Sequence, residues 1–266
     1  MLHVLGNKEI PMTTIPTGRF VWFEHVSKTP EKAQGFLGEL FNWSIQAMPM
    51  PQGGSYSMIK VGDATVGGFP TVPGNVNVPP HWVSHLQVTN AAETAKQVKS
   101  LGGSVLVEPV DMGLGTYALV ADPLGGAFAL WQPAQAQGTG DFKGVSGSFC
   151  WNELFSEDPA RSAAFYAAIG GFTVKEQDMG PMGVYRVLEA DGKPRAGILK
   201  TPMPGIPQSW LPYVQVDNAD ATHAKATKLG AETKVPPMDI PGVGRFSIFT
   251  DATGAAIGIL QPAPQA

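Results

Sequence analysis

Cysteine occurs once in the 266 residues, at position 150, so no disulfide can close within the chain and nothing points to an oxidising compartment. Charge is also scarce: Asp, Glu, Lys and Arg make up 15% of the residues, and Lys and Arg form no run. With a formal net charge of −4 there is no general attraction to nucleic acid or to an anionic membrane. No stretch approaches the roughly 18 consecutive apolar residues of a membrane helix. Met1 to Pro11 has no basic start, no apolar run and no small-residue cleavage site, so it does not read as a signal sequence. Met12 offers an alternative start that would leave Met1 to Pro11 as an extension. The default expectation is a soluble, cytoplasmic protein whose partner is a small molecule rather than nucleic acid or membrane.

What is plentiful is Gly (32), Pro (24) and short Val/Ile/Phe-rich runs between them, a pattern of many strands joined by tight turns. The chain is also an internal repeat. Phe20, Trp22, Glu24, Pro30 and Phe36 recur as Phe149, Trp151, Glu153, Pro159 and Phe165. Trp82, Gln87, Val88, Asn90, Leu101 and Gly102 recur as Trp210, Gln215, Val216, Asn218, Leu229 and Gly230. Gly115, Asp122, Gly125, Gln132 and Pro133 recur as Gly244, Asp251, Gly254, Gln261 and Pro262. Chance does not place three such blocks in register. The expected organisation is an extension over 1–18, a first domain over 19–133, a Gln/Gly/Ala-rich linker over 134–148 and a second domain over 149–263.

Each half divides again. Phe20–Val26 alternates like a strand, and a helix follows with Thr29 as N-cap, Pro30 at its first position and Phe36, Leu37 and Leu40 on one face. Short strands are expected around 43–48, 56–61 and 65–69, before a Pro-rich loop over 70–80. The pattern then restarts with strand 82–88. A helix follows from Asn90, with Glu93 as a capping-box partner, to Leu101, ended by Gly102. Three more strands follow, with a turn at Asp122-Pro-Leu-Gly. The second half repeats this, Asp158-Pro159 and Asn218 opening its helices. The expected fold is α+β, with a βαβββ unit occurring four times.

Paired βαβββ units resemble the vicinal-oxygen-chelate superfamily, which includes glyoxalase I, bleomycin-resistance proteins and extradiol dioxygenases. The residues that carry the resemblance are Trp151-Asn-Glu153-Leu, Asp158-Pro159 and Phe165-Tyr166 at the start of a module. At its end they are Leu229-Gly230, Gly244-Arg245, Asp251 and Gly254, with counterparts in the first half. The similarity covers about residues 19–263. It implies that pairs of modules curl into cups whose floors carry metal ligands in the familiar enzymes. Those ligand positions fall here on Trp22, Val83 and Ala129 in half one, and on Trp151, Leu211 and Gly258 in half two. None of these side chains can hold a metal. No cofactor is therefore expected, and the metal-dependent activities are not carried over. The resemblance leaves a monomer or a homodimer open, because cups in this superfamily are also shared between chains.

Alternation places Glu24 on the face of Trp22 and Glu153 on the face of Trp151. His85 follows Val83 on the opposed strand, and Tyr213 follows Leu211. The candidate site residues are therefore Glu24 and Glu153 as catalytic carboxylates, with Trp22, His85, Trp151 and Tyr213 as substrate-binding groups. A carboxylate among aromatics finds a partner or shifts its pKa, so each Glu reads either as a general base or as a fixed hydrogen-bond acceptor of the cup. Each Trp reads either as a stacking platform or as a plug where the metal site was. Glu24 with His85 falls short of a metal site unless His81, expected near the rim, joins them; His25 lies on the opposite strand face. Cys150 is expected to face away from the cup, against a helix, and His223 to lie on the surface. Two functions compete: a glyoxalase/bleomycin-resistance-like protein binding an aromatic or amphipathic small molecule in metal-free cups, and an enzyme of lyase, isomerase or dioxygenase type. The enzyme would use a cup carboxylate or an unorthodox metal site. An interaction protein with filled cups is a third class.

Overall fold

A computed structural model describes residues 17–50, 54–135, 144–180, 183–202 and 206–264. Most of the expected N-terminal extension, and the alternative start at Met12, lie outside them, as does residues 136–143 of the expected linker. In the first half the elements run β1 (Arg19–Val26), α1 (Pro30–Phe41), β2 (Ser44–Pro49), β3 (Ser55–Val61), β4 (Ala64–Phe69), β5 (His81–Gln87), α2 (Ala91–Ser100), β6 (Ser104–Asp111), β7 (Gly115–Ala121) and β8 (Ala127–Pro133). In the second they run β9 (Phe149–Ser156), α3 (Pro159–Gly170), β10 (Thr173–Asp178), β11 (Val184–Ala190), β12 (Lys193–Lys200), β13 (Ser209–Gln215), α4 (Ala219–Lys228), β14 (Glu232–Ile240), β15 (Gly244–Thr250) and β16 (Ala256–Pro262). This is the βαβββ unit four times over. No helix among the described residues is long and apolar enough to cross a membrane.

The helix starts follow their local chemistry. The Oδ1 atoms of Asn90, Asp158 and Asn218 each accept the backbone N–H three residues on, satisfying one of the free donors of the first turn. Thr29 occupies the N-cap of α1 without a side-chain cap bond; its own N–H is held by the Ser27 hydroxyl, and Pro30 removes the next free donor.

Each half forms one eight-stranded mixed sheet, in the orders β2-β3-β4-β1-β5-β8-β7-β6 and β10-β11-β12-β9-β13-β16-β15-β14. The first strands of neighbouring modules, β1 with β5 and β9 with β13, pair antiparallel at the centre. Consecutive modules therefore share a sheet, a pairing the repeat alone left open.

The backs of the sheets and the helices pack differently. One apolar cluster joins α1 and its strands (Phe36, Leu37, Ile59) to α4 and its strands (Ala226, Phe249, Ile257). The other joins α2 and its strands (Val98, Phe128) to α3 and its strands (Tyr166, Ile198). The first module thus shares a core with the fourth, and the second with the third. Phe23 stacks on Phe149 at 4.1 Å between ring centres, and Phe20 meets Trp210 at 4.7 Å. Burying each such side chain stabilises the fold by about 1.5–3 kcal/mol, so an interface this apolar holds the halves together.

Polar groups cross the same interface. The turn carboxylate Asp251 accepts the N–H groups of Thr253, Gly254 and Ala255 on Oδ1, and meets His25 Nε2 at 2.6 Å on Oδ2. Both side chains of that pair are fully buried. At the matching turn, Asp122 Oδ1 accepts the N–H groups of Leu124 and Gly126, and Oδ2 accepts the Tyr166 hydroxyl at 3.0 Å and the Gln208 amide. The repeat positions of His25 and Tyr166 hold Leu154 and Leu37, so the two turns are tied to the opposite half by different residues.

Candidate functional site

The free face of each sheet carries a carboxylate at its centre. In half one, the β1–β5 register sets Trp22 against His85 and Glu24 against Val83, and strand alternation turns all four to one face. Glu24 Oε1 accepts the Tyr56 hydroxyl at 2.7 Å, and Oε2 lies 3.1 Å from His85 Nε2. Tyr56 in turn accepts the Trp22 indole N–H at 3.0 Å. The second half repeats the chain of bonds. Trp151 donates to the Tyr185 hydroxyl at 2.9 Å, Tyr185 donates to Glu153 Oε1 at 2.9 Å, and Tyr213 donates to Oε2 at 2.8 Å. All six expected site residues therefore gather in two networks, three in each.

Sequence reasoning missed Tyr56 and Tyr185, the hubs of both networks. Each needs a glycine on the neighbouring strand. A Cβ at Gly68, which sits opposite Glu24, would collide with the Tyr56 hydroxyl, and one at Gly197, opposite Glu153, with that of Tyr185. The signal was present, since Tyr56/Tyr185 and Gly68/Gly197 keep the spacing of Trp22/Trp151.

The two carboxyls differ electrostatically. Burial pushes the Glu24 carboxyl up, but the imidazole of His85 and the hydrogen bonds from His85 and Tyr56 outweigh it and hold it below its ordinary value. Burial also pushes Glu153 up, and there the phenols of Tyr213 and Tyr185 do not compensate, so it stays raised. The tyrosine hydroxyls of both networks are pushed up by burial and by the nearby carboxyl, and remain protonated donors.

These residues do not fit a metal ion. Ala129 and Gly258 stand opposite His85 and Tyr213 in register, where the familiar enzymes carry a ligand. The Tyr213 ring lies directly over Gly258, in space a Cβ would need. Among the described residues no group of three or more His, Cys, Asp and Glu is placed to hold an ion. His81 starts β5 on the face of Glu24 but bonds the Pro79 carbonyl at 2.7 Å, and His25 faces away to Asp251.

A protein-family model described as Glyoxalase/Bleomycin resistance protein/Dioxygenase superfamily matches residues 149–259. CFP32 of Mycobacterium bovis, named provisionally as a glyoxylase, is 36% identical over 248 residues, spanning 92% of this chain and 95% of that protein. The chain belongs to the glyoxalase/bleomycin resistance/dioxygenase superfamily. DauV of a Streptomyces species, named as an anthracycline biosynthesis protein, is 29% identical over 94% of this chain and 95% of its own. Among solved structures, the 2,3-dioxygenase LapB from Pseudomonas sp. KL28 covers 96% of this chain and 95% of its own, with a TM-score of 0.64 at 9% identity. The Mn(II)-bound glyoxalase from Novosphingobium aromaticivorans covers 93% and 82%, with a TM-score of 0.60 at 17% identity. At such identities the structural likeness shows the superfamily fold alone.

Two secondary readings are corrected. Cys150 does not face away from the cup: it packs against the cup-face cluster of Leu211, Tyr213 and Ile248, with Sγ 3.5 Å from the Tyr213 carbonyl oxygen. The physical reason is a β-bulge, which shifts the β9–β13 register between Tyr213 and Val214 and leaves Cys150 outside the simple alternation. His223 is not a loose surface residue. Its Nδ1 bonds Ser247 at 2.7 Å and its Nε2 bonds Thr233 at 3.1 Å, tying α4 to β15 and β14.

Proposed function

We propose that the protein binds a flat, uncharged aromatic small molecule in its cups, without a metal, in the manner of the sequestering members of its superfamily. The observation that carries this reading is the Trp–Tyr–Glu network, built twice on glycine-backed tyrosines where ligand positions hold Trp, Val, Ala, Leu and Gly. Trp22 and Trp151 remain half-buried and offer ring surface at little rotamer cost. Two relatives named for anthracycline biosynthesis suit a planar, polycyclic ligand. A thermal-shift screen of aromatic compounds tests the reading. A ligand held at 100 times its Kd stabilises the native state by about 2.7 kcal/mol, and Trp22→Ala with Trp151→Ala should abolish the shift. If no compound stabilises the wild type more than the double variant, the proposal fails.

A second reading has one observation in its favour. Glu24 is the carboxyl held ionised beside an imidazole, the pairing a general base would use. Both of its oxygens already accept protein donors, so it must release Tyr56 or His85 before taking a substrate proton. An enzymatic role of this kind predicts that Glu24→Gln lowers turnover of a carbonyl substrate while Glu153→Gln does not. Equal turnover in both variants would sink it.

A further inference from the structure

The two cups share an ancestor but no longer offer the same chemistry. In the second cup every polar group of the network is met by another. Trp151 gives its N–H to Tyr185, and Tyr185 and Tyr213 occupy the two oxygens of Glu153. That carboxyl is raised by burial, and among the described residues only the phenols of Tyr213 and Tyr185 act against that rise. Tyr213 presses onto Gly258, and Phe246, Ile248 and Leu260 add an apolar wall beside it. In the first cup the equivalent chain is likewise closed, but one hydroxyl is left over. Tyr117 on β7 takes the place that Phe246 holds in the second cup. Its ring lies 5.5 Å from that of His85, on the cup face, and its hydroxyl has no hydrogen-bond partner among the described residues. Tyr117 feels the Glu24 charge and is half-buried, and burial followed by that charge keeps the phenol protonated. Beside it on β8, in direct register, stands Trp131, where the second cup has only Leu260.

We infer that ligand binding belongs to the first cup alone, one molecule per chain, and that Tyr117 is its specificity residue, donating to a carbonyl oxygen on a planar aromatic ligand held between Trp22 and Trp131. This rests on the proposed function and deepens it by naming the cup and the ligand class. A partly buried hydroxyl left without a partner favours a ligand acceptor, which completes its hydrogen bonding. The Glu24 carboxylate beside it disfavours an anionic ligand and leaves neutral ketones and quinones as the fitting class. The second cup keeps the architecture, but its Trp151–Tyr185–Glu153–Tyr213 network leaves no hydroxyl free to meet a carbonyl.

Equilibrium dialysis with 9-fluorenone and fluorene, the same skeleton with and without a carbonyl, separates the possibilities. The wild type should bind one fluorenone per chain and prefer it to fluorene by roughly fivefold to tenfold, the effect of one hydrogen bond. Tyr117→Phe should erase that preference while still binding both probes; the fold accepts Phe at the repeat position, 246. Two fluorenone molecules per chain, falling to one in Trp151→Ala, would overturn the assignment to the first cup. A carbonyl preference that persists in Tyr117→Phe would overturn the role of Tyr117. Binding of neither probe to the wild type would instead overturn the function on which both rest.

Discussion

Replacing His25 with leucine, the residue at its repeat position 154, should destabilise the whole chain rather than one half. His25 Nε2 and Asp251 Oδ2 lie 2.6 Å apart, on opposite halves, with both side chains fully buried. Leucine has a shape this site can accept, since Leu154 is itself fully buried at the matching place. It leaves Asp251 Oδ2 without its partner, because the Thr253 hydroxyl donates to Oδ1 instead. Removing one member of such a pair costs about 3–5 kcal/mol, because the remaining charge stays buried. In a chain of this size that lowers the melting temperature by roughly 6–20 °C. Adding Asp251→Asn removes the charge while keeping an oxygen for the three turn N–H groups on Oδ1, so the double variant should recover part of the loss. Asp251 is pushed up by burial but held lower overall by His25 and Thr253. Its contribution is therefore present above the ordinary carboxylate range and is lost as pH falls through its lowered value. Urea unfolding followed by Trp fluorescence and by far-UV circular dichroism measures both effects, and the two probes should report one shared transition. A His25→Leu variant within about 1 kcal/mol of wild type would refute the claim that this pair braces the halves.

The two cup carboxyls should respond to pH with opposite signs. Glu24, held low by its partners, contributes stability that is lost on acidification, so the gap between wild type and Glu24→Gln should narrow below the ordinary carboxylate range. Glu153, raised by burial, is stabilising only while protonated, so Glu153→Gln should gain on wild type as pH rises through the raised value. Paired denaturation curves between acidic and neutral pH check both signs. Gly258→Ala should cost about 1–3 kcal/mol by displacing the Tyr213 ring, whereas Ala129→Gly opposite His85 should cost about 1 kcal/mol or less; thermal melts compare them. Asn90→Ala and Asn218→Ala should each cost about 1 kcal/mol through loss of one helix cap, measured in the same way.

The fold was legible because the repeat made each weak local signal appear twice. Pro30 with Pro159 and Asn90 with Asn218 fixed the helix starts, and alternation placed Glu24 with Trp22 and Glu153 with Trp151. What alternation could not supply was contact between strands distant in sequence. Tyr56 reaches Glu24 across β4, through the gap left by Gly68, and neither residue looks functional in its own strand. The β-bulge at Cys150 has no residue signature there, so counting by twos put the thiol on the wrong face. The interlocked core, with α1 against α4 and α2 against α3, rests on apolar residues that would serve any arrangement of four modules. Only the buried outliers His25 and Tyr166, standing where the repeat has leucine, hinted that the halves meet there.

The central claim is that carboxylate networks, rather than metal centres, organise these cups, and metal content tests it most directly. Protein purified without a metal-binding tag or chelator would be incubated with manganese, iron, nickel and zinc, dialysed, and measured by plasma mass spectrometry. The account predicts clearly substoichiometric metal in the wild type, unchanged by Glu24→Gln or Glu153→Gln. One or two equivalents retained by the wild type and lost in either variant would contradict it.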